Sequence, residues 1–493
     1  LGTVPTGSDF VGTNTLSGGG VGDATQSLKI IPWLLGDSSA TGTGNNFVTY
    51  DSTLGLRVLT VAQGTVLTDA STTATDPENA IGFSGAVTAP DLTVNSLLFR
   101  SASQILDGSG ALTVNSGAVA TVSSGAGIGS GFSSLVLGNG EGILTATGSN
   151  VLTINTPVNV TSSGGLTKNG GGTVILTASN LYTGQTTVNQ GILQIGNGTS
   201  GDLGTNTADI AVNGGTISLF GNGLDLNVVN NISGAGGVTL NSPSSTNTLT
   251  GTNTYTGTTT VNAGTLKSLS ATNFGASGIG NGALALTGTS VFDLNGFNAA
   301  FTDVLTTGAL SSTITNSGIS DATLTINNAS AVIDSVVTDG PTNKLSVVIR
   351  NNNFGAIAFA PGNLNTFSGG MTLVDGAGLN PAGGTRLRLN VAVAVGATPF
   401  GSGPITVGQA ATDKAGIFFD QADNTLSNAL VINTSLGTDR FGIRNDGRLI
   451  TLSGLITANA DLVFSSNSTT ASNTRITNQV TGAGGLAIDL SQS

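Results

Sequence analysis

The chain has 493 residues, a formal net charge of −12, 75 Gly, and neither Cys nor His. Without those two residue types there is no disulfide, thiolate metal site or Cys nucleophile, and the commonest general base and zinc ligand are missing. The acidic balance argues against nucleic acid as a partner and fits a solvated acidic surface.

Residues 1–22 are rich in Gly, Thr and Ser and weakly patterned. Residue 1 is Leu, and no basic stretch with an apolar run follows it, which leaves open a removed signal or a piece of a longer chain. The segment from Ser27 to Gly36 is the densest apolar run and holds the single Trp, Trp33. Asp23 could cap a short helix there, which Pro32 would interrupt. Trp33 is expected to plug or seam the core, with a partner-binding anchor as the alternative. Phe47–Tyr50 and Leu54–Val61 read as strands about a turn at Asp51–Thr53.

From about residue 90 onward, a β-branched residue followed by Asn recurs at strand ends. The asparagines are Asn95, Asn115, Asn155, Asn189, Asn213, Asn262, Asn327 and Asn433. Their early spacings are one or two multiples of 20–25 residues, the length of one coil of a parallel β-helix with three short strands and three corners. Strands of four to six residues alternate inward and outward side chains, so Val174 and Leu176 should share one face and Ile175 the other. Asn and Gly accept the left-handed backbone of tight corners. One coil cannot bury its apolar face alone, so coils must stack, with Asn side chains able to hydrogen-bond from coil to coil. About 20 coils at roughly 4.8 Å each would make a single elongated rod on the order of 100 Å long. Gly125–Gly131 and Gly196–Gly204 read as corners or loops. Residues 340–395 read as less regular, with Pro381–Gly384 in an outward loop.

The strongest internal repeat is GGLTKNGGGTVILTASNLYTGQTTVNQG (164–191), which returns as GGVTLNSPSSTNTLTGTNTYTGTTTVNAG (236–264). Their cores, starting at Tyr182 and Tyr255, agree at eight of ten positions, and a looser copy, FSGGMTLVDG, starts at Phe367. Tyr182, Tyr255 and Phe367 are therefore expected to be equivalent and buried. These motifs resemble the autotransporter-associated β-strand repeat of very large bacterial surface proteins. The 31–59 stretch is similar to the spacers between repeat blocks in such proteins. The resemblance implies a right-handed parallel β-helix, export to the cell surface, and a role as stalk, fibre or adhesin. No C-terminal membrane barrel pattern is visible in these residues, and no apolar run of about 18 residues could form a membrane-spanning helix.

The expected organisation is an N-terminal segment with the Trp33 cluster (1–50), solenoid coils (51–163), a first repeat block (164–235) and a second block with following coils (236–358). A degenerate third block (359–433) and C-terminal coils (434–493) complete it. Residues 482–493 repeat the opening of the block at 234–245. A solenoid stopping mid-repeat would present unpaired strand edges. An end-to-end fibre, a longer covalent chain and a capped monomer are the alternatives, the fibre being favoured.

The rival reading is a carbohydrate-binding or carbohydrate-cleaving β-helix protein, because right-handed β-helices also include polysaccharide lyases and glycoside hydrolases; a glycosidase would need two carboxylates roughly 5–10 Å apart. The two Glu, Glu78 and Glu141, lie in unrelated segments, and Asp76/Glu78, Asp334/Asp339 and Asp420/Asp423 sit among turn residues. Corner chemistry is the expected role of each. No clustered oxygen cage for calcium and no cofactor motif in a workable context stands out, so no catalytic residue, metal or cofactor is expected. Arg440, Arg444 and Arg448 concentrate positive charge beside Asp439 and Asp446. They are expected outside a corner and paired, or else in contact with a neighbouring protomer or an anionic surface glycan.

Overall fold

The computed structural model describes residues 29–37, 44–51, 55–60, 63–67, 79–83, 87–138, 140–204, 208–221, 223–270, 274, 282–307, 311–327, 332–351, 356–359, 365–375, 385–389, 398–419, 423–434, 442–466 and 472–489. They divide into two compact units, 1–226 with 230–237, and 227–229 with 238–493. Each is a stack of parallel strands forming a β-solenoid.

In the first unit a coil consists of three short strands. One is Ala111–Val114, Ala118–Thr121 and Ala126–Ile128, and the next is Ser134–Leu137, Glu141–Ala146 and Val151–Ile154. Each strand pairs in parallel with its counterparts one coil before and after. Leu92, Leu112, Leu135 and Val158 stand in one register line, separated by 20, 23 and 23 residues. On another face Leu106, Ile128, Ile154, Leu176, Ile195 and Leu219 form an aliphatic column, and all six are buried. Alternation along each strand puts these side chains inside, and stacking supplies the second wall that one coil lacks. Val174 and Leu176 are fully buried while Ile175 is half-buried, so the two faces part as the pattern predicts.

Two elements depart from the sequence expectation. Ile31–Gly36 is an extended strand rather than part of a helix, and Asp23 lies outside the described residues. It is the edge strand of an antiparallel sheet with Asn46–Asp51 and Gly55–Val58, where Pro32 needs no ladder donor. This sheet lies against the outer side of the coils. Phe47 and Leu59 pack on Leu98, Ala118 and Ala120, helped by Ile30, Leu35 and Val122. That cover explains why Ser96–Phe99 and Ala118–Thr121 are buried on both faces.

The second departure is the glycine stretch 125–131, which holds the strand Ala126–Ile128 rather than being all corner. Gly127 is needed there because a Cβ would lie 2.5 Å from the Thr153 carbonyl oxygen of the next coil.

In the second unit, Gly237–Leu249 and Thr259–Ser268 are long strands that run through a corner, with register shifts at Leu240/Asn241 and Asn241/Thr246. Further on, eight strands from Ala299–Phe301 to Val480–Thr481 make one parallel sheet, and seven from Val332–Ile333 to Leu486–Asp489 make another. Within 340–395, Leu345–Asn351, Ala356–Phe359, Met371–Asp375 and Thr385–Leu389 all join these sheets. Pro381–Gly384 lie outside the described residues. Phe274, Phe292 and Phe301 pack with ring centroids 5.2–5.7 Å apart, largely edge to face.

Candidate functional site

The side chains that the repeats hold in common sit at the corners, where each coil turns and is tied to the next. Asn189 Nδ2 donates to Asn169 Oδ1, and Asn213 Nδ2 donates to Asn189 Oδ1, both at 2.9 Å. This ladder crosses three coils. A second one links Asn459 Nδ2 to Asn433 Oδ1 at 2.9 Å, and Asn433 Nδ2 to the Gly408 carbonyl at 3.0 Å. Asn95 donates to Asn79 Oδ1 at 2.9 Å. Asn155 and Asn262 accept from Thr177 and Thr287, each one coil further on. Asn115 is exposed, and its backbone N–H bonds to the Val94 carbonyl of the previous coil. Asn327 pairs in register with Arg350.

These eight residues do not share one corner. Asn95 and Asn115 follow strands of one sheet, Asn189 and Asn213 strands of the next, and Asn155 a strand of the third. A 40-residue gap such as that from Asn115 to Asn155 therefore looks like two coils but includes a change of corner.

The repeat aromatics are interior. Tyr182, Tyr255 and Phe367 are 1%, 0% and 0% exposed. The hydroxyl of Tyr182 is hydrogen-bonded to that of Thr186 at 2.8 Å, and that of Tyr255 to Thr259 at 2.6 Å. Phe367 has no hydroxyl, and four residues on stands Met371 in place of Thr. The polar pair and the apolar pair are thus exchanged together, leaving no orphan hydroxyl.

Two residues before each aromatic lies a buried Asn that the sequence reading missed: Asn180, Asn253 and Asn365. Asn180 accepts from the Val158 N–H and donates to the Asp202 carbonyl at 2.6 Å. Asn365 accepts from the Val337 N–H at 2.7 Å and donates to the Pro399 carbonyl at 2.6 Å. Each links the coil below to the coil above. The recurring Asn-Xaa-aromatic triplet was the signal that could have found them.

Lys168 was also missed. It occupies an inward strand position beside Val188 in the next coil and is 0% exposed. Its ammonium donates to the carbonyls of Asn169, Gly170 and Gln190 at 2.9, 2.6 and 2.9 Å. Burial lowers its pKa from the ordinary 10.5 to about 8. The folded chain therefore releases this proton more readily than the unfolded chain, and stability should rise as pH goes from about 8 towards 10.5. Below pH 8 the burden of the buried charge is fully present. In the second repeat Leu240, also fully buried, occupies this position. Lys168→Leu is expected to flatten the alkaline rise in the urea midpoint. The rise itself should be on the order of 1–2 kcal/mol, discounted from the full shift for solvent screening. An unchanged pH profile in the variant would refute this account.

Of the acidic groupings, Asp339 and Asp423 accept from backbone donors, Asp339 from the N–H of Leu345 and of Ser368, and Asp423 from that of Leu449. Glu141 accepts from the Thr167 hydroxyl. Asp76, Glu78 and Asp420 lie outside the described residues, as does Arg440. Arg444 pairs with Asp446 at 2.6 Å and lies 4.4 Å from the centre of the Phe418 ring. Arg448 uses its backbone N–H and carbonyl to hold Asn445, a 3% exposed corner residue. Trp33 is 45% exposed on the antiparallel sheet, so it does not fill a coil. Among the described residues, no group of His, Cys, Asp or Glu could hold a metal ion, and no helix is long and apolar enough to cross a membrane.

Residues 166–195 and 233–267 match the family of the passenger-associated-transport-repeat. No curated protein and no solved structure matches the chain. The matched stretches contain both repeat tyrosines, and also Lys168 and the Asn189 corner, whose side chains bond from coil to coil. The chain carries two stretches similar to the passenger-associated-transport-repeat within a β-solenoid, a combination that fits an autotransporter passenger β-helix repeat protein.

Proposed function

We propose that this chain is a non-enzymatic extracellular solenoid that serves as a stalk, fibre or adhesin on a bacterial surface and associates end to end. The observation that carries this reading is the match of residues 166–195 and 233–267 to a passenger repeat, set in parallel coils. A mechanical role is supported by how the coils are linked. Beyond the backbone ladders, buried Asn180 and Asn365 and the Asn169–Asn189–Asn213 ladder join successive coils through side chains. Such bonds, lying along the direction in which coils separate, resist that separation. The acidic groups engaged with backbone donors also favour corner duty over catalysis.

The test combines negative-stain imaging, sedimentation and a polysaccharide panel on the purified chain. Filaments that lengthen with concentration, without turnover, are expected. A chain that stays monomeric at every concentration would refute end-to-end assembly. Reproducible polysaccharide turnover, abolished by Asp420→Asn, would refute the non-enzymatic reading.

A further inference from the structure

We propose that Arg350 and Asn327 form a binding site for one small anion, a halide or a carboxylate. The two residues are register partners on neighbouring parallel strands, Ala322–Asn327 and Leu345–Asn351. Their Cα atoms therefore lie about 5 Å apart, and their side chains leave the same face of the sheet. Arg350 Nε and Asn327 Nδ2 are both shut off from solvent, and among the described residues neither has a hydrogen-bond partner. The next residue in this register line is Val374, 8% exposed and without a polar side chain.

Further along the same line the pattern is different. Asn433 Nδ2 reaches the Gly408 carbonyl and Asn459 Nδ2 reaches Asn433 Oδ1, so the donors there are used. Two adjacent buried donors left over, one of them on a guanidinium, are costly, because each has lost water without gaining an acceptor. Only Nε of Arg350 is shut off, since the side chain as a whole is part-exposed, but the cation it belongs to is best met by an acceptor that carries negative charge. Water could satisfy the geometry of a donor but not the charge. An anion does both, through charge-assisted hydrogen bonds from Nε and the neighbouring amide. Two N–H donors on neighbouring strands can satisfy one acceptor atom or one carboxylate, which suits a halide or a single carboxylate rather than a larger polyanion.

The experiment uses the full chain and two probes. Crystals soaked in bromide should show an anomalous peak within hydrogen-bond distance of Arg350 Nε and Asn327 Nδ2. In solution, the urea midpoint should climb as fluoride is replaced by chloride at constant ionic strength, since a ligand of the folded state stabilises it by mass action. The climb should vanish in Arg350→Met and shrink in Asn327→Leu. Each substitution removes an unsatisfied buried donor, so both chains should fold, and if one does not, the other carries the test. The same chloride dependence in all three chains, no dependence in the parent chain, or bromide found only elsewhere would overturn the proposal. The last two outcomes would assign the donors to water.

Discussion

Replacing Tyr255 with Ala is expected to lower stability by about 3–5 kcal/mol, the usual cost of deleting a large buried ring. The ring is fully buried and its hydroxyl is 2.6 Å from that of Thr259. Burial raises the phenol's pKa well above its ordinary value, with the Thr259 hydrogen bond acting weakly against it. Tyr255 should thus stay protonated in alkaline titration until the fold opens, which gives a second readout besides urea unfolding. Tyr255→Phe alone should cost about 1–3 kcal/mol, because it strands the Thr259 hydroxyl in the core. Adding Thr259→Met should recover part of that loss, since the pair then copies Phe367 and Met371, both buried. A change of less than about 0.5 kcal/mol for Tyr255→Ala would be the size seen at surface positions and would show that the ring is not a core group.

The second large effect is expected at Gly264, which closes the repeated core. Its φ is +78°, and a Cβ there would lie 2.0 Å from the Ser242 carbonyl oxygen of the preceding coil. Gly264→Ala must bear the left-handed backbone and push two coils apart, for a loss of about 2–4 kcal/mol. Gly148 separates the two contributions. Its φ is +56°, but a Cβ there meets nothing within 4 Å. Gly148→Ala should therefore cost only about 1–2 kcal/mol, the left-handed penalty alone. Equal losses at the two glycines in urea unfolding would mean that coil contact adds nothing at Gly264.

Much of the architecture is legible in the residues themselves. Short β-branched runs broken by Gly and Asn can only be strands and corners, and a 20–25-residue recurrence leaves room for three of each per coil. The repeated Tyr-Thr-Gly cores mark equivalent positions because a buried ring must find the same hole in each copy. Their burial at Tyr182, Tyr255 and Phe367 follows the same logic.

Phase was not legible. Three corners per coil use the same Asn and Gly chemistry, so sequence spacing gives the number of coils between two asparagines only when both lie at the same corner. Stacking decides that, and it places Asn155 at a different corner from Asn115. Nor could composition say that the 31–58 segment packs antiparallel on the outside. Its apolar face and that of Leu98, Ala118 and Ala120 each read as ordinary core strand until they are seen against one another. Nothing in the residue order marks Lys168 as interior, because Lys is rarely buried, and only the carbonyls of Asn169, Gly170 and Gln190, brought together by two coils, make its interior place tenable. The amino-acid order by itself determined the parallel solenoid, its coil length and its equivalent aromatics, because these rest on local periodicity. The tertiary structure alone decided corner phase, the external sheet, the buried ammonium and the unsatisfied donors at Asn327 and Arg350, because each depends on what the neighbouring coil presents.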